Sequence, residues 1–444
     1  VDATLRRSVD RDVARLALPA LGALVAEPLF LLADAAMVGH LGAVSLAGLG
    51  IASTILQTII GLMVFLAYAT TPAVARRLGA GDERGAVEAG VDGLWMALAL
   101  GVVLAVAGWF ATPLLVGSFG AEAAVEAQAS VYLSLSMAGL PAMLIVFAAT
   151  GLLRGLQDTR TPLAVAVGGF AVNAVLNFVL IYPVGLGIAG SAIGTVIAQW
   201  AMVAAYLVVI ARHVTRVGSR RMPRHAGVMS GARAGGWLFL RTLSLRAAIL
   251  LAVFTATGLG TDELAGFQIV MTMFSTLAFA LDALAIAAQA LVGRGLGAGD
   301  VPLVRAVLGR CLFWGVGGGA VLGIGTIALA WVIPPVFTSA ASVVDLLPPA
   351  LVVLGFAVPL FGYVFVLDGV LIGAGDARYL AITGVLNLAA FVPLVLAVGA
   401  WAPSDATGLA LLTGAFAIGY LAARAVTLGL RARGAAWMVV GATR

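Results

Sequence analysis

At 444 residues, with 62% hydrophobic and only 10% charged side chains, the chain is too apolar to clothe a soluble globule, which needs about a quarter of its residues charged. Its mean hydropathy of +1.12 makes lipid its solvent. All 25 basic side chains are arginine; without lysine there is no Walker A phosphate loop, and the net charge of +5 is explained by membrane topology rather than by nucleic acid.

Apolar segments long enough to cross a bilayer run, in chain order, over about 14–38, 44–74, 86–111, 125–149, 162–182, 186–211, 235–257, 262–292, 304–332, 343–371, 378–400 and 405–430. The first is long and interrupted by polar residues, so it reads as a span and not as a cleavable signal. Arginines gather before it (Arg6, Arg7, Arg11, Arg15) and in the second loop (Arg76, Arg77, Arg84). They recur in the fourth (Arg154, Arg160), sixth (Arg212, Arg216, Arg220, Arg221, Arg224), eighth (Arg294) and tenth (Arg378), and in the tail (Arg431, Arg433, Arg444), while the odd-numbered loops have none. By the positive-inside rule both termini are expected in the cytoplasm of a bacterial inner-membrane protein.

The chain also repeats itself. Leu78-Gly-Ala-Gly-Asp82 recurs 218 residues on as Leu296-Gly-Ala-Gly-Asp300. The same shift carries Leu41, Gly42 and Leu46 to Leu259, Gly260 and Leu264, Pro141 to Pro359, and Gly151, Gly155 and Asp158 to Gly369, Gly373 and Asp376. Six spans lie in each copy, so the copies share one membrane orientation. The expected architecture is all-α and integral to the membrane: twelve transmembrane helices in two six-helix lobes, 1–211 and 235–444, joined by a basic cytoplasmic linker at 212–234 and related by a pseudo-two-fold axis along the membrane normal.

Polar groups inside these spans carry the functional reading. In the first, Glu27 and Asp34 interrupt an apolar run, seven residues apart and near one helix face, and an ionised carboxylate at membrane depth costs about 2.5–3.5 kcal/mol unless it faces water or a partner. Pro19 and Pro28 each remove a backbone hydrogen bond and make the same helix bendable. Asn173 and Asn177 are one turn apart in the fifth span, and Thr195 and Gln199 are spaced likewise in the sixth. In the second half Arg241 and Arg246 (span seven), Asp282 (span eight) and Asp368 (span ten) have depths that match as two ion pairs, Arg241–Asp368 and Arg246–Asp282. Each group also has a structural alternative, as hydrogen-bond or ionic glue between helices. The lone Cys311 and three loop-proximal histidines, His40, His213 and His225, give no zinc ligand set and no nucleophile–base pair, so no metal, no cofactor and no enzyme is expected.

Taken together the chain resembles the multidrug and toxic compound extrusion (MATE) family, in its DinF-like branch. The resemblance rests on Glu27-Pro-Leu-Phe-Leu-Leu-Ala-Asp34 with Val38-Gly-His-Leu-Gly42, on Arg241-Thr-Leu-Ser-Leu245, on Leu281-Asp-Ala-Leu-Ala-Ile-Ala-Ala-Gln-Ala-Leu-Val-Gly293 and on Asp368-Gly-Val-Leu-Ile-Gly-Ala-Gly-Asp376. It implies an alternating-access antiporter exporting amphipathic, often cationic compounds against a proton or sodium gradient. It also implies ion coupling at Asp34, with Asn173 and Thr195 as its polar neighbours, a possible sodium set, and Pro19 as the bending proline. One departure is Asn177, where several relatives have an aspartate; with one carboxylate fewer, a proton is the expected coupling ion over sodium. The expected function is therefore a proton-driven exporter of small amphipathic compounds, a monomer in contact with membrane lipid and binding no nucleic acid. The alternatives are a flippase of lipid or lipid-linked precursors and, from another class, an intramembrane enzyme or a non-transporting scaffold.

Overall fold

The computed structural model describes residues 3–443, apart from the side chains of Ala3 and Glu27. Twelve helices are long and apolar enough to span a membrane. In chain order they are α1 (Thr4–Gly39), α2 (Ala43–Gly79), α3 (Glu83–Gly117), α4 (Ala123–Gly155), α5 (Arg160–Ile181), α6 (Ile188–Val217), α7 (His225–Leu259), α8 (Thr261–Gly297), α9 (Val301–Ala328), α10 (Ala341–Gly373), α11 (Ala377–Trp401) and α12 (Ala406–Arg433). No strand occurs among the described residues. Lipid dictates this outcome, because only a helix or a closed barrel satisfies every backbone N–H and C=O without water. Helix starts are fixed by aspartate caps: Asp82 accepts from Gly85 N at 2.7 Å, Asp300 from Leu303 N at 2.9 Å and Asp405 from Thr407 N at 2.8 Å. The stretch at 212–234 is mostly helical; α6 continues to Val217, α7 begins at His225, and only 218–224 remain between them.

The described residues group into two compact units, one of Leu18–Gly235 and one that joins residues 3–17 to Gly236–Ala442. In the first, α2, α3 and α6 pack on α4, and α5 packs on α6; in the second, α8, α9 and α12 pack on α10. The helices α4 and α10 are the most buried spans of their units. The 218-residue shift maps one onto the other end to end, Ala123 to Ala341 and Gly155 to Gly373, and maps Ala43–Gly79 onto Thr261–Gly297. Individual contacts repeat as well. Gly151 lies against the carbonyl of Ala67 as Gly369 lies against that of Ala285, and Gly101 faces Pro141 as Gly319 faces Pro359. The sharp turns agree too, with positive φ at Gln157 (67°) and at its counterpart Gly375 (71°). Between helices in lipid there is little hydrophobic force, so close backbone approach at small residues holds them together.

That packing gives a test with an internal control. A side chain at Gly319 meets the Val358 carbonyl and the Pro359 backbone, whereas Gly317, two residues away on α9, has nothing within 4 Å. Gly319→Leu should therefore destabilise the purified protein by about 1–3 kcal/mol through overpacking, seen as a lower melting temperature in detergent. Gly317→Leu should melt like the parent chain.

Candidate functional site

The polar residues of the first unit converge on Asp34, which is only 4% exposed. Asn177 Nδ2 donates to its Oδ1 at 2.8 Å and Ser191 Oγ donates to the same oxygen at 2.6 Å, while Tyr132 Oη donates to Oδ2 at 3.4 Å. One turn away on α5, Asn173 Nδ2 donates to Thr195 Oγ1 of α6 at 2.9 Å. All of these donors are neutral, and Asp34 makes no ion pair among the described residues. Two acceptors are left over: the amide oxygens of Asn173 and Asn177 are buried and have no hydrogen-bond partner among the described residues. Four helices thus meet here. α1 brings the carboxylate, α4 a phenol, α5 two amides and α6 two hydroxyls.

Two of these partners, Ser191 and Tyr132, were not among the residues expected from sequence. Ser191 lies four residues before Thr195 and so shares its helix face, a signal available in the spacing. Tyr132 gives no such signal, since a tyrosine in an apolar span is ordinary. The two prolines lie inside α1, which runs unbroken as a helix through both, and each is half-buried. Glu27 belongs to the same helix, but its side chain lies outside the described residues.

The second unit holds a different cluster. Asp368 of α10, 4% exposed, makes an ion pair with Arg241 of α7, and its Oδ2 is also 3.2 Å from Arg424 Nη2 of α12. Arg424, an arginine well inside the last span, is a residue the sequence reading passed over. Thr383 and Asn387 of α11 and Tyr420 of α12 join these three in lining a small cavity with room for about one water molecule. The second pairing expected from depth does not form: Arg246 is exposed and makes no ion pair among the described residues, while Asp282 on α8 is half-buried with interactions of its own. Depth had matched the two residues, but α7 turns about 500° over the five residues from Arg241 to Arg246, so the two arginines leave the helix on different faces.

The repeat shows how differently the halves use one frame. Thr150 and Tyr206, hydrogen-bonded at 3.0 Å between α4 and α6, map by the 218 shift to Asp368 and Arg424, the ion pair between α10 and α12. The surroundings of Asp34 map to apolar groups instead: Asp34 to Ala252, Tyr132 to Ala350, Asn173 to Phe391, Asn177 to Val395 and Ser191 to Leu409, all of them buried. Where the first unit has a buried polar cluster, the second has packed hydrocarbon.

Known proteins resemble this chain in sequence and in fold. The MatE family profile matches residues 19–179 and 241–400, one match in each copy of the repeat. The chain is 29% identical over 390 residues to Protein DETOXIFICATION 44, chloroplastic, of Arabidopsis thaliana, which covers 85% of this chain and 74% of that protein. It is 29% identical over 307 residues to DNA damage-inducible protein F of Escherichia coli, covering 66% of this chain and 65% of the other. Among solved structures, the Vibrio cholerae MATE transporter VcmN in its bent form superposes with a TM-score of 0.85 at 21% identity, covering 96% of this chain and 98% of that one. A MOP superfamily transporter from Pyrococcus furiosus superposes with a TM-score of 0.86 at 23% identity, covering 97% and 96%.

The charge count in the second cluster predicts an asymmetry between variants. Asp368→Asn leaves two buried guanidinium groups without their carboxylate and should lower stability by about 3–5 kcal/mol. Arg424→Met keeps the Arg241–Asp368 pair and should lower it by clearly less. Melting of the detergent-purified variants measures both; equal losses would show that the two arginines are not sharing one carboxylate.

Proposed function

The chain belongs to the MatE family of multidrug efflux transporters, and we propose that it exports small amphipathic, cationic compounds in exchange for protons taken up at Asp34. It is a transporter and not an enzyme. In this reading it lies in a bacterial inner membrane with both termini cytoplasmic, as the alternation of arginine-rich and arginine-free loops supports.

The observation that carries the proposal is the contrast between the two buried carboxylates. Asp368 is matched with two arginines, so its charge is locked. Asp34 is matched only with neutral donors, so a proton can neutralise it without stranding a buried cation. The unpartnered oxygen of Asn177 supplies what a protonated Asp34 needs. If the amide of Asn177 turns over, it offers a carbonyl acceptor to the new O–H in place of its N–H donor. Proton uptake thereby changes the hydrogen bonding between α1 and α5, and α1, weakened at Pro19 and Pro28, bends in response. The pocket formed by α1, α4, α5 and α6 contracts, and the compound is released outward.

One observation favours sodium as the coupling ion instead. Two orphaned amide oxygens near a carboxylate, with Thr195 beside them, are the hard oxygen donors a small monovalent cation prefers. The two readings part in one experiment: efflux of a fluorescent cation from reconstituted vesicles, driven by a proton gradient alone and by a sodium gradient alone. The proton reading expects efflux in the first arm and none in the second. Asp34→Asn should reduce gradient-driven efflux at least about tenfold, to background, with membrane abundance unchanged. Undiminished efflux by that variant would refute the coupling role of Asp34 for either ion.

A further inference from the structure

Away from Asp34, α3 and α6 both pack on α4 and leave a groove between them. Its walls are Trp95 and Leu98 of α3 and Leu207, Ile210 and Val214 of α6, and Ile145 of α4 forms its floor. The open space amounts to about 980 Å³, its outer part continuous with the surroundings, and the lining is apolar except at one end. There Arg221, from the short turn between α6 and α7, closes it.

That turn is built to hold its position. Arg220 Nη1 and Nη2 donate to the two carboxylate oxygens of Asp92 at 2.9 and 2.7 Å, and its Nε donates to Glu88 at 3.2 Å. The backbone N–H of Arg224 adds a bond to Asp92 at 2.8 Å. Trp95 Nε1 donates to the carbonyl of Arg221 at 3.0 Å, which ties the indole wall of the groove to the residue at its mouth. Glu83, Glu88 and Asp92 are engaged by Arg216, Arg84 and Arg220, but Arg221 and Arg212 make no ion pair among the described residues. A second hollow, lined by Arg212, Thr215 and Arg216, shares Ala211 with the groove. An apolar channel on the face of membrane-spanning helices therefore ends at Arg221 on its clamped turn, with Arg212 lining the adjoining hollow and neither arginine in an ion pair among the described residues.

We propose that this groove is a binding site for one anionic phospholipid, with an acyl chain lying between α3 and α6 and the phosphate held by Arg221 and Arg212. The bilayer supplies that ligand at high local concentration, and its two chemical halves match the two ends of the groove in order. Clamping the turn through Asp92 before the lipid arrives removes the ordering cost of a mobile basic loop and so favours this lipid over its neighbours. The site lies apart from the Asp34 pocket and makes no use of the coupling reaction.

Native mass spectrometry of the detergent-purified full chain tests this, with phosphatidylglycerol and phosphatidylcholine of identical chains as the probes. The wild type should retain phosphatidylglycerol at least about tenfold better. Arg212→Gln with Arg221→Gln, both at exposed positions, should weaken phosphatidylglycerol binding about thirtyfold, at roughly fivefold for each arginine, and weaken binding of the zwitterionic phosphatidylcholine by clearly less. Leu207→Trp, which fills the groove, should weaken both lipids. Equal retention of the two lipids by the wild type would overturn the proposal, as would full phosphatidylglycerol binding by the double variant. Binding untouched by Leu207→Trp would mean that the arginines attract lipid without the groove, and would overturn it as well.

Discussion

The hydrogen-bonded carboxylate at Asp34 is the interaction on which the rest depends, because it sets the cost of a charge within a span against the donors that hold it. An ionised carboxylate within a span costs about 2.5–3.5 kcal/mol by insertion scales. Each hydrogen bond from a neutral donor to a charged acceptor returns about 1.5–3 kcal/mol. Three such donors around Asp34 are enough to hold the charge, and none of them is itself a cation. An arginine in their place would tilt the balance by the several kcal/mol that a broken buried ion pair represents, and the group would stop responding to its surroundings. Asp368 is in that second condition, with Arg241 and Arg424 both against it.

The two halves make the comparison unusually clean, since they share a backbone. Gly151 and Gly369, Gly101 and Gly319, and the caps Asp82 and Asp300 occupy matched places and make matched contacts. What differs is the chemistry laid over that frame. Between the fourth and sixth helices of each half, one position pair is Thr150 with Tyr206 and its counterpart is Asp368 with Arg424. The polar set around Asp34 is answered by Ala252, Ala350, Phe391, Val395 and Leu409. Phe391 packs on Phe416 and Tyr420, so the second half fills with aromatic rings the volume that the first half leaves to amides and hydroxyls. A duplicated frame has in this way been given one carboxylate held by neutral donors and one held by arginines.

Most of the architecture was legible in the sequence because lipid leaves few choices: twelve apolar segments become twelve helices, and a constant spacing of 218 residues exposes the duplication. Asp34, Asn173 and Asn177 were legible for the same reason, as polar groups that an apolar span tolerates only with partners. The choice of partner was not. Which helix faces which depends on rotation about the helix axis, and sequence depth says nothing of that angle. Hence Ser191 and Tyr132 appeared only in the structure, Arg424 joined Asp368 unannounced, and Arg246, at the right depth for Asp282, proved to be exposed. The extent of helix through 212–234 was also hidden, since arginine clusters mark a loop by charge while arginine is itself a good helix former.

Of the twelve spans α1 is the least buried, and Leu18, Leu29 and Leu32 along it are more than half exposed. Few apolar contacts therefore secure its outer half, among them the stacking of Phe30 on Phe170 at 5.0 Å. The hydrogen bonds at Asp34 and the bond from Tyr182 Oη to the Met37 carbonyl at 2.8 Å carry an outsized share of what remains. A helix held mainly by packing would hardly register the loss of one hydrogen bond. In α1 two prolines interrupt the backbone ladder, so the hydrogen bonds at Asp34 weigh more in its restraint than they would in a helix held by packing.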